Sequence, residues 1–237
     1  MGDVLKNDMA RLISALSETE KENAARAAAD VLGKGGLVVF PTESFYGLGV
    51  DPFNEMAVRN LFHAKGRSPD RPILLLIPSA DMVKEYARDI SGLAEELMEA
   101  FWPGGLTLVF NAFPRVSPLL TAGTGKIGLR VSGHPLARAV CKAFGGAVTG
   151  TSANVSERPA CETAAEAISA LGDKVDMVLD GGRTPGGLPS TVLDMTENPP
   201  VVLRHGMVNL KELNKAEYLR ITLAGESAGA QCKCSGE

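Results

Sequence analysis

The sequence predicts a mixed α/β (α+β) fold, a twisted mixed sheet flanked by helices, and three observations carry that prediction. Strand-like and helix-like segments alternate irregularly, which does not suit a strictly doubly wound parallel sheet. Late in the chain the strand-like segments 177–179, 191–194 and 201–204 follow one another closely enough for hairpins. The 237 residues, 45% hydrophobic and 22% charged, suffice for a full core. No repeat or linker divides them. Residues 1–223 read as a single domain, and the small, polar stretch 224–237 is expected to be a disordered tail.

Each element has a local reason. Residues 18–32 are rich in Ala, Glu, Lys and Arg and predict a helix, ended by Gly33-Lys-Gly-Gly36. Residues 37–40 predict a buried strand, which enters a Pro-Thr corner and a Tyr46-Gly-Leu-Gly49 turn. Apolar residues at helical spacing predict a helix over 54–64 with Asn54 as its cap. A strand over 73–77 follows Pro72, and helices follow around 80–87 and 91–101. Strands are predicted over 106–110, 127–131 and 147–151. His134-Pro135 opens a helix that runs to about 144, and a last helix covers 163–170.

Composition excludes several functions. The longest apolar strand segment falls well short of the roughly 20 residues of a membrane helix, and the N-terminus lacks a secretory signal. Four cysteines (Cys141, Cys161, Cys232 and Cys234) make no disulfide framework in a chain this long, so a cytoplasmic location is expected. Cys232-Lys-Cys234 has no partner pair, and no zinc site is expected there. A net charge of −4 argues against nonspecific coating of nucleic acid. Residues 100–156 nevertheless contain no Asp or Glu, while Arg115, Lys126, Arg130, Arg138 and Lys142 all fall inside. That segment predicts a local positive field that attracts phosphates or carboxylates.

The most informative stretch is Val39-Phe-Pro-Thr-Glu-Ser-Phe-Tyr-Gly-Leu-Gly49, followed closely by Lys65-Gly-Arg67 and Arg71-Pro72. Glycines allow backbone to approach a ligand, and clustered cations suit an anion, here expected on an exposed loop. Other templates fail. The chain has no Walker-type glycine loop, and Gly123-Thr-Gly-Lys-Ile-Gly128 precedes a strand rather than opening a helix. Gly150-Thr-Ser152-Ala-Asn154 approaches a nucleophile elbow but lacks its second glycine, and His134 and His205 read as turn or cap residues. Ser152 and Asn154 fit better as hydrogen-bonding groups at a strand end.

Taken together, these residues resemble the YrdC family, the threonylcarbamoyl-AMP synthases of tRNA modification. The matching elements are Pro41–Gly49, Lys65-Gly-Arg67, Trp102-Pro-Gly-Gly-Leu-Thr107, Ile127-Gly-Leu-Arg130-Val, Thr151-Ser-Ala-Asn154, Pro189-Ser190-Thr-Val and Leu203-Arg204-His-Gly206, in the family's order. The resemblance implies a YrdC/RibB-like sheet around a positively charged cavity. It implies an enzyme, a nucleotidyltransferase that joins L-threonine, bicarbonate and ATP into threonylcarbamoyl-AMP and releases pyrophosphate. Partner machinery then transfers the group to adenosine 37 of tRNA, with an RNA contact implied as well. Magnesium would accompany ATP, and no tightly held protein metal or membrane association is expected.

By the same resemblance, Lys65 and Arg67 are the catalytic cations. Lys65, Arg67, Lys126, Ser152, Asn154, Arg158 and Arg204 are expected to contact ATP, and Thr42, Arg130 and Ser190 to contact threonine. The family's chemistry needs positioning and charge neutralisation more than a covalent nucleophile. Two departures stand out: Glu157, where the family often has glycine, brings an anion near the nucleotide region, and Ser44-Phe45 replaces a small β-branched pair. The chain stops without the second domain of the longer family branch, so the short type is expected. The alternative reading is a paralogous nucleotide- or RNA-binding protein of the same fold without synthase activity.

Overall fold

The computed structural model describes residues 10–209, 213 and 222–223. Its first half runs β1 (Arg11–Ser14), α1 (Glu18–Gly33), β2 (Val38–Pro41), β3 (Tyr46–Gly49), α2 (Glu55–Lys65), β4 (Leu74–Leu76), α3 (Val83–Tyr86), β5 (Ala87–Arg88) and α4 (Gly92–Phe101). The second half runs β6 (Leu106–Ala112), α5 (Pro118–Thr121), β7 (Lys126–Arg130), α6 (Pro135–Phe144), β8 (Val148–Ser152), α7 (Ala164–Leu171), β9 (Met177–Asp180), β10 (Thr191–Asp194), β11 (Val201–Arg204) and β12 (Thr222–Leu223). Among the described residues the strands form one mixed sheet in the order β1-β9-β2-β3-β8-β4-β7-β6-β10-β11-β12, with β5 paired to β6. The mixed sheet flanked by helices is the fold class that the sequence predicts.

Side chains alternate across the strands, so the sheet buries two faces. Val39, Leu48, Leu75 and Leu129 pack with Leu61 of α2, Leu97 of α4 and Leu171 of α7. On the other face, Val38, Phe40, Leu76 and Val148 pack with Leu32 of α1 and Leu136 and Val140 of α6.

Local signals set the helix ends. Ser17 Oγ accepts from Glu20 N at 3.3 Å, and the Glu20 carboxylate accepts from Ser17 N at 2.8 Å, a reciprocal cap that opens α1. Asn54 caps α2 by accepting from Ala57 N at 3.1 Å. His134 does the same for α6 through Nδ1, which accepts from Leu136 N at 3.2 Å, as its position before Pro135 predicts.

One segment departs from the sequence reading in kind. Tyr46–Gly49 is no turn but a fully buried strand, antiparallel to both β2 and β8. Its glycines serve close packing rather than chain reversal. A Cβ on Gly49 would lie 2.5 Å from Val148 Cγ1 and 2.7 Å from Phe40 Cε1. The short elements β1, β5, β12 and α5 were not anticipated either. β1 is a mostly exposed edge strand, held by parallel pairing with β9 far along the chain, and carries no apolar alternation to announce it. The predicted tail, with Cys232 and Cys234, lies outside the described residues. No helix among the described residues is long and apolar enough to cross a membrane.

Gly49→Ala should therefore lower the unfolding free energy by roughly 1–3 kcal/mol through overpacking. Urea denaturation checks this as a reduced midpoint at unchanged slope.

Candidate functional site

Between the β2–β3 hairpin and the ends of β7, β8 and β11 lies a cavity of about 390 Å³. Of the residues singled out in the sequence, Thr42, Arg67, Arg130, Ser152, Ser190 and Arg204 line it. Strand register gives the cavity two ends. Arg130 pairs with Leu76, and Leu76 pairs with Val148. Ser152 is four residues beyond Val148 on β8, about 13 Å at the usual rise per residue. Leu74 and Gly150 line the floor between.

At the Ser152 end the organising group is Lys65. The sequence reading puts it on an exposed loop; it is instead the last residue of α2 and only 1% exposed. Its Nζ donates to Ser152 O, to Asn154 O at 2.7 Å and to Asn154 Oδ1 at 3.4 Å. Burial, then the neighbouring Arg67, push the Lys65 pKa down to about 8. Asn154 is buried too and donates through Nδ2 to Arg158 O. Lys65 and Asn154 thus stand behind the cavity wall and hold its shape, while Ser152 faces the opening.

Arg67 follows the left-handed Gly66 and does reach the cavity. It donates to Pro72 O at 2.9 Å and Arg71 O at 3.3 Å, and has no carboxylate at ion-pair distance among the described residues. Burial, then repulsion from Arg71, lower its pKa. Glu157, in a left-handed conformation, pairs with Arg71 at 3.4 Å on the surface. Its charge is therefore answered at the rim, by Arg71 rather than by Arg67.

At the other end, Arg130 is 6% exposed and pairs through Nη1 with Glu43. Glu43 also accepts from Ser132 Oγ at 2.5 Å and Gly133 N at 3.0 Å. Burial lowers the Arg130 pKa, and Glu43 opposes that shift. Arg204 joins this end. It donates to Ser190 O at 2.9 and 3.0 Å and to Ser190 Oγ at 2.9 Å, and Ser190 Oγ bonds Thr107 Oγ1 at 2.9 Å. Arg204 also lies close enough to Arg130 for repulsion to lower its pKa, after burial. Thr42 fixes the hairpin tip by donating to Phe45 O at 2.7 Å.

Two sequence candidates stand apart from the cavity lining. Lys126 is held by Asp194 and Glu197, each at 3.0 Å, and Arg158 is exposed. The acid-free segment does not act as a unit either. Of its five cations only Arg130 lines the cavity, while Arg115 stacks over Phe53 and Tyr86 and Arg138 bonds the carbonyls of Ser132 and Gly133. The positive charge is assembled instead from three separate segments, Lys65-Gly-Arg67, the end of β7 at Arg130 and the end of β11 at Arg204. Sequence reasoning missed Glu43 as a site residue, although it sits inside the most informative motif. Phe45, Gly187 and Pro189, which lie inside or beside the motifs noted in the sequence but are given no role there, also line the cavity.

Comparison with known proteins gives a family and a fold. A family model named Sua5_yciO_yrdC, described as "Telomere recombination", matches residues 30–206. A threonylcarbamoyl-AMP synthase of Pyrococcus abyssi is 37% identical over 86% of this chain and 60% of its own length. One from Bacillus subtilis is 35% identical over 82% of this chain and 56% of its own. The chain thus spans little more than half the length of these two relatives. A putative threonylcarbamoyl-AMP synthase of Mycobacterium tuberculosis is 36% identical over 84% of this chain and 90% of its own length. Among solved structures, P. abyssi Sua5 complexed with L-threonine matches with a TM-score of 0.84 at 35% identity, covering 90% of this chain and 62% of that one. Escherichia coli YciO matches with a TM-score of 0.78 at 26% identity, covering 86% of this chain and all of that one.

The geometry separates the two cations of the Lys65-Gly-Arg67 motif. Lys65→Ala leaves three acceptors, two of them buried, without this donor and should lower stability by roughly 1–3 kcal/mol. Arg67→Ala should leave stability unchanged and weaken binding of a polyphosphate such as ATP about tenfold. Urea unfolding and ATP titration on both variants check the split.

Proposed function

The chain belongs to the Sua5/YciO/YrdC family, and on that premise we propose that it is an L-threonylcarbamoyladenylate synthase. The observation that carries this reading is a cavity lined by three arginines at two separated ends and holding neither histidine nor cysteine among its lining residues. Such a lining suits a reaction between anions in which positioning and charge neutralisation do the work. The threonine amine attacks the carbon of bicarbonate, and one bicarbonate oxygen leaves as water with the amine proton, giving a carbamate. The carbamate oxygen attacks the α-phosphate of ATP, and pyrophosphate leaves, which is nucleotidyl transfer.

In this reading Arg67 and the open hydroxyl of Ser152 receive the phosphates, with Lys65 and Asn154 shaping that end and adding the buried charge. Arg130, Ser190 and Thr42 receive threonine. Arg204, bonded to Ser190, belongs to the threonine end beside Arg130 and meets ATP only where the nucleotide reaches that end. Lys126 and Arg158 have no role inside the cavity; if they touch ATP, they do so from outside it. Magnesium enters with ATP, held by phosphate oxygens and water. Residues 1–223 act as one catalytic domain in the cytoplasm, and the product passes to tRNA threonylcarbamoyl-transfer machinery, with any RNA contact made there. Glu157, the departure that brings an anion near the nucleotide region, pairs with Arg71 on the surface, which favours the synthase reading over the paralogue.

Incubation with ATP, magnesium, L-threonine and bicarbonate should give a threonylcarbamoyl-AMP mass and pyrophosphate release that needs all of them. ATP binding without threonine-dependent turnover would instead establish the paralogue reading.

A further inference from the structure

The cavity holds more cations than one anion needs, and a single carboxylate divides them. Glu43, at the tip of the β2–β3 hairpin, has a side chain 12% exposed against 7% for Arg130. Both its oxygens are engaged, one by Arg130 and the other by Ser132 and Gly133. Its position is therefore fixed rather than free to follow a ligand. Arg130 in turn gives only Nη1 to Glu43, and its Nε is buried without a hydrogen-bond partner among the described residues. Among the described residues Arg67, Arg204 and Lys65 donate only to neutral oxygens, so no bonded carboxylate offsets their charges.

The sum differs between the two ends. Arg130 and Arg204 against Glu43 leave one net positive charge, with hydroxyls of Thr42 and Ser190 beside it. Lys65 and Arg67 leave two with no bonded carboxylate among the described residues, Asp70 acting on Arg67 only through space. One positive charge matches a single carboxylate, whereas a di- or triphosphate gains more where two charges are unopposed and loses where an anion is fixed nearby.

We propose that Glu43 is a specificity-determining residue that sorts the two anionic substrates, reserving the Arg130 end for an amino-acid carboxylate by keeping polyphosphate out of it. Glu43 acts through Arg130 and needs no contact with either substrate. The inference rests on the synthase reading, because it presumes that a carboxylate and a polyphosphate share this cavity. It also gives a reason for a buried acid in a site built for anions, where removing the acid would strengthen general anion binding. Discrimination of this kind needs a repulsive group as well as attractive ones.

The test is calorimetric titration with L-threonine, in the presence and absence of inorganic pyrophosphate, on the wild-type protein and Glu43→Gln. The wild type should bind both at once, with threonine affinity unchanged by pyrophosphate. In Glu43→Gln, pyrophosphate at about ten times its own Kd should weaken apparent threonine affinity about tenfold, because it now competes at Arg130. A merely structural role would alter threonine binding without making it sensitive to pyrophosphate. A folded Glu43→Gln protein that stays indifferent to pyrophosphate overturns the inference. Mutual exclusion of threonine and pyrophosphate in the wild type overturns it without any variant. Absence of threonine binding in the wild type overturns the synthase reading as well, which separates the two failures.

Discussion

The site depends on one buried ammonium. Lys65 ends α2, and its Nζ gathers the carbonyls of Ser152 and Asn154 together with the Asn154 side chain. A buried lysine is tolerated only when acceptors replace its water, and here three do. The same contact fixes two things at once. It docks the C-terminus of α2 against the end of β8, and it sets where Arg67 emerges two residues later. It adds to the β3–β8 pairing at Ser152 and to the carbonyl contacts of Arg67, which hold the same two segments.

The opposite end is organised by the reverse arrangement, an arginine held by an acid. Burying Arg130 lowers its pKa, and Glu43 offsets that tendency while leaving guanidinium donors in hand. Each end therefore solves the problem of a buried cation differently. Neutral carbonyls keep the full charge at Lys65, whereas a carboxylate halves the charge of the Arg130–Arg204 pair. Tertiary strands separate the two solutions: β4 lies between β7, which carries Arg130, and β8, which carries Ser152. The cavity is thus polarised in charge along its length by side chains that no ligand needs to touch.

What the sequence made legible follows from where each signal lives. Helix α1 is readable from its Ala, Glu, Lys and Arg content and the glycines that end it, and α2 and α6 from Asn54 and His134-Pro135 at their starts. Lys65 was misplaced because its burial is decided by acceptors 87 and 89 residues away, and nothing beside it announces them. Glu43 was passed over for the same reason, with partners 87 to 90 residues distant. The glycines of Tyr46–Gly49 imitate a turn locally, and only Val148 and Phe40 across the sheet reveal a packing constraint. The acid-free run misled in the other direction. Its cations are neighbours in sequence, but β7 sends Arg130 inward while Lys126, at the start of the same strand, meets Asp194 and Glu197. The resemblance brings more together, since six of the ten site residues it implies line one cavity.

The central claim is that one polarised cavity holds a carboxylate at Arg130 and phosphates at Arg67 and Ser152 together. A crystal structure with L-threonine and a non-hydrolysable ATP analogue tests it most directly. The threonine carboxylate is expected on the Arg130 guanidinium and the phosphates on Arg67 and Ser152 in the same molecule. Phosphates seated on Arg130 beside an unmoved Glu43, or threonine at the Ser152 end, would contradict it.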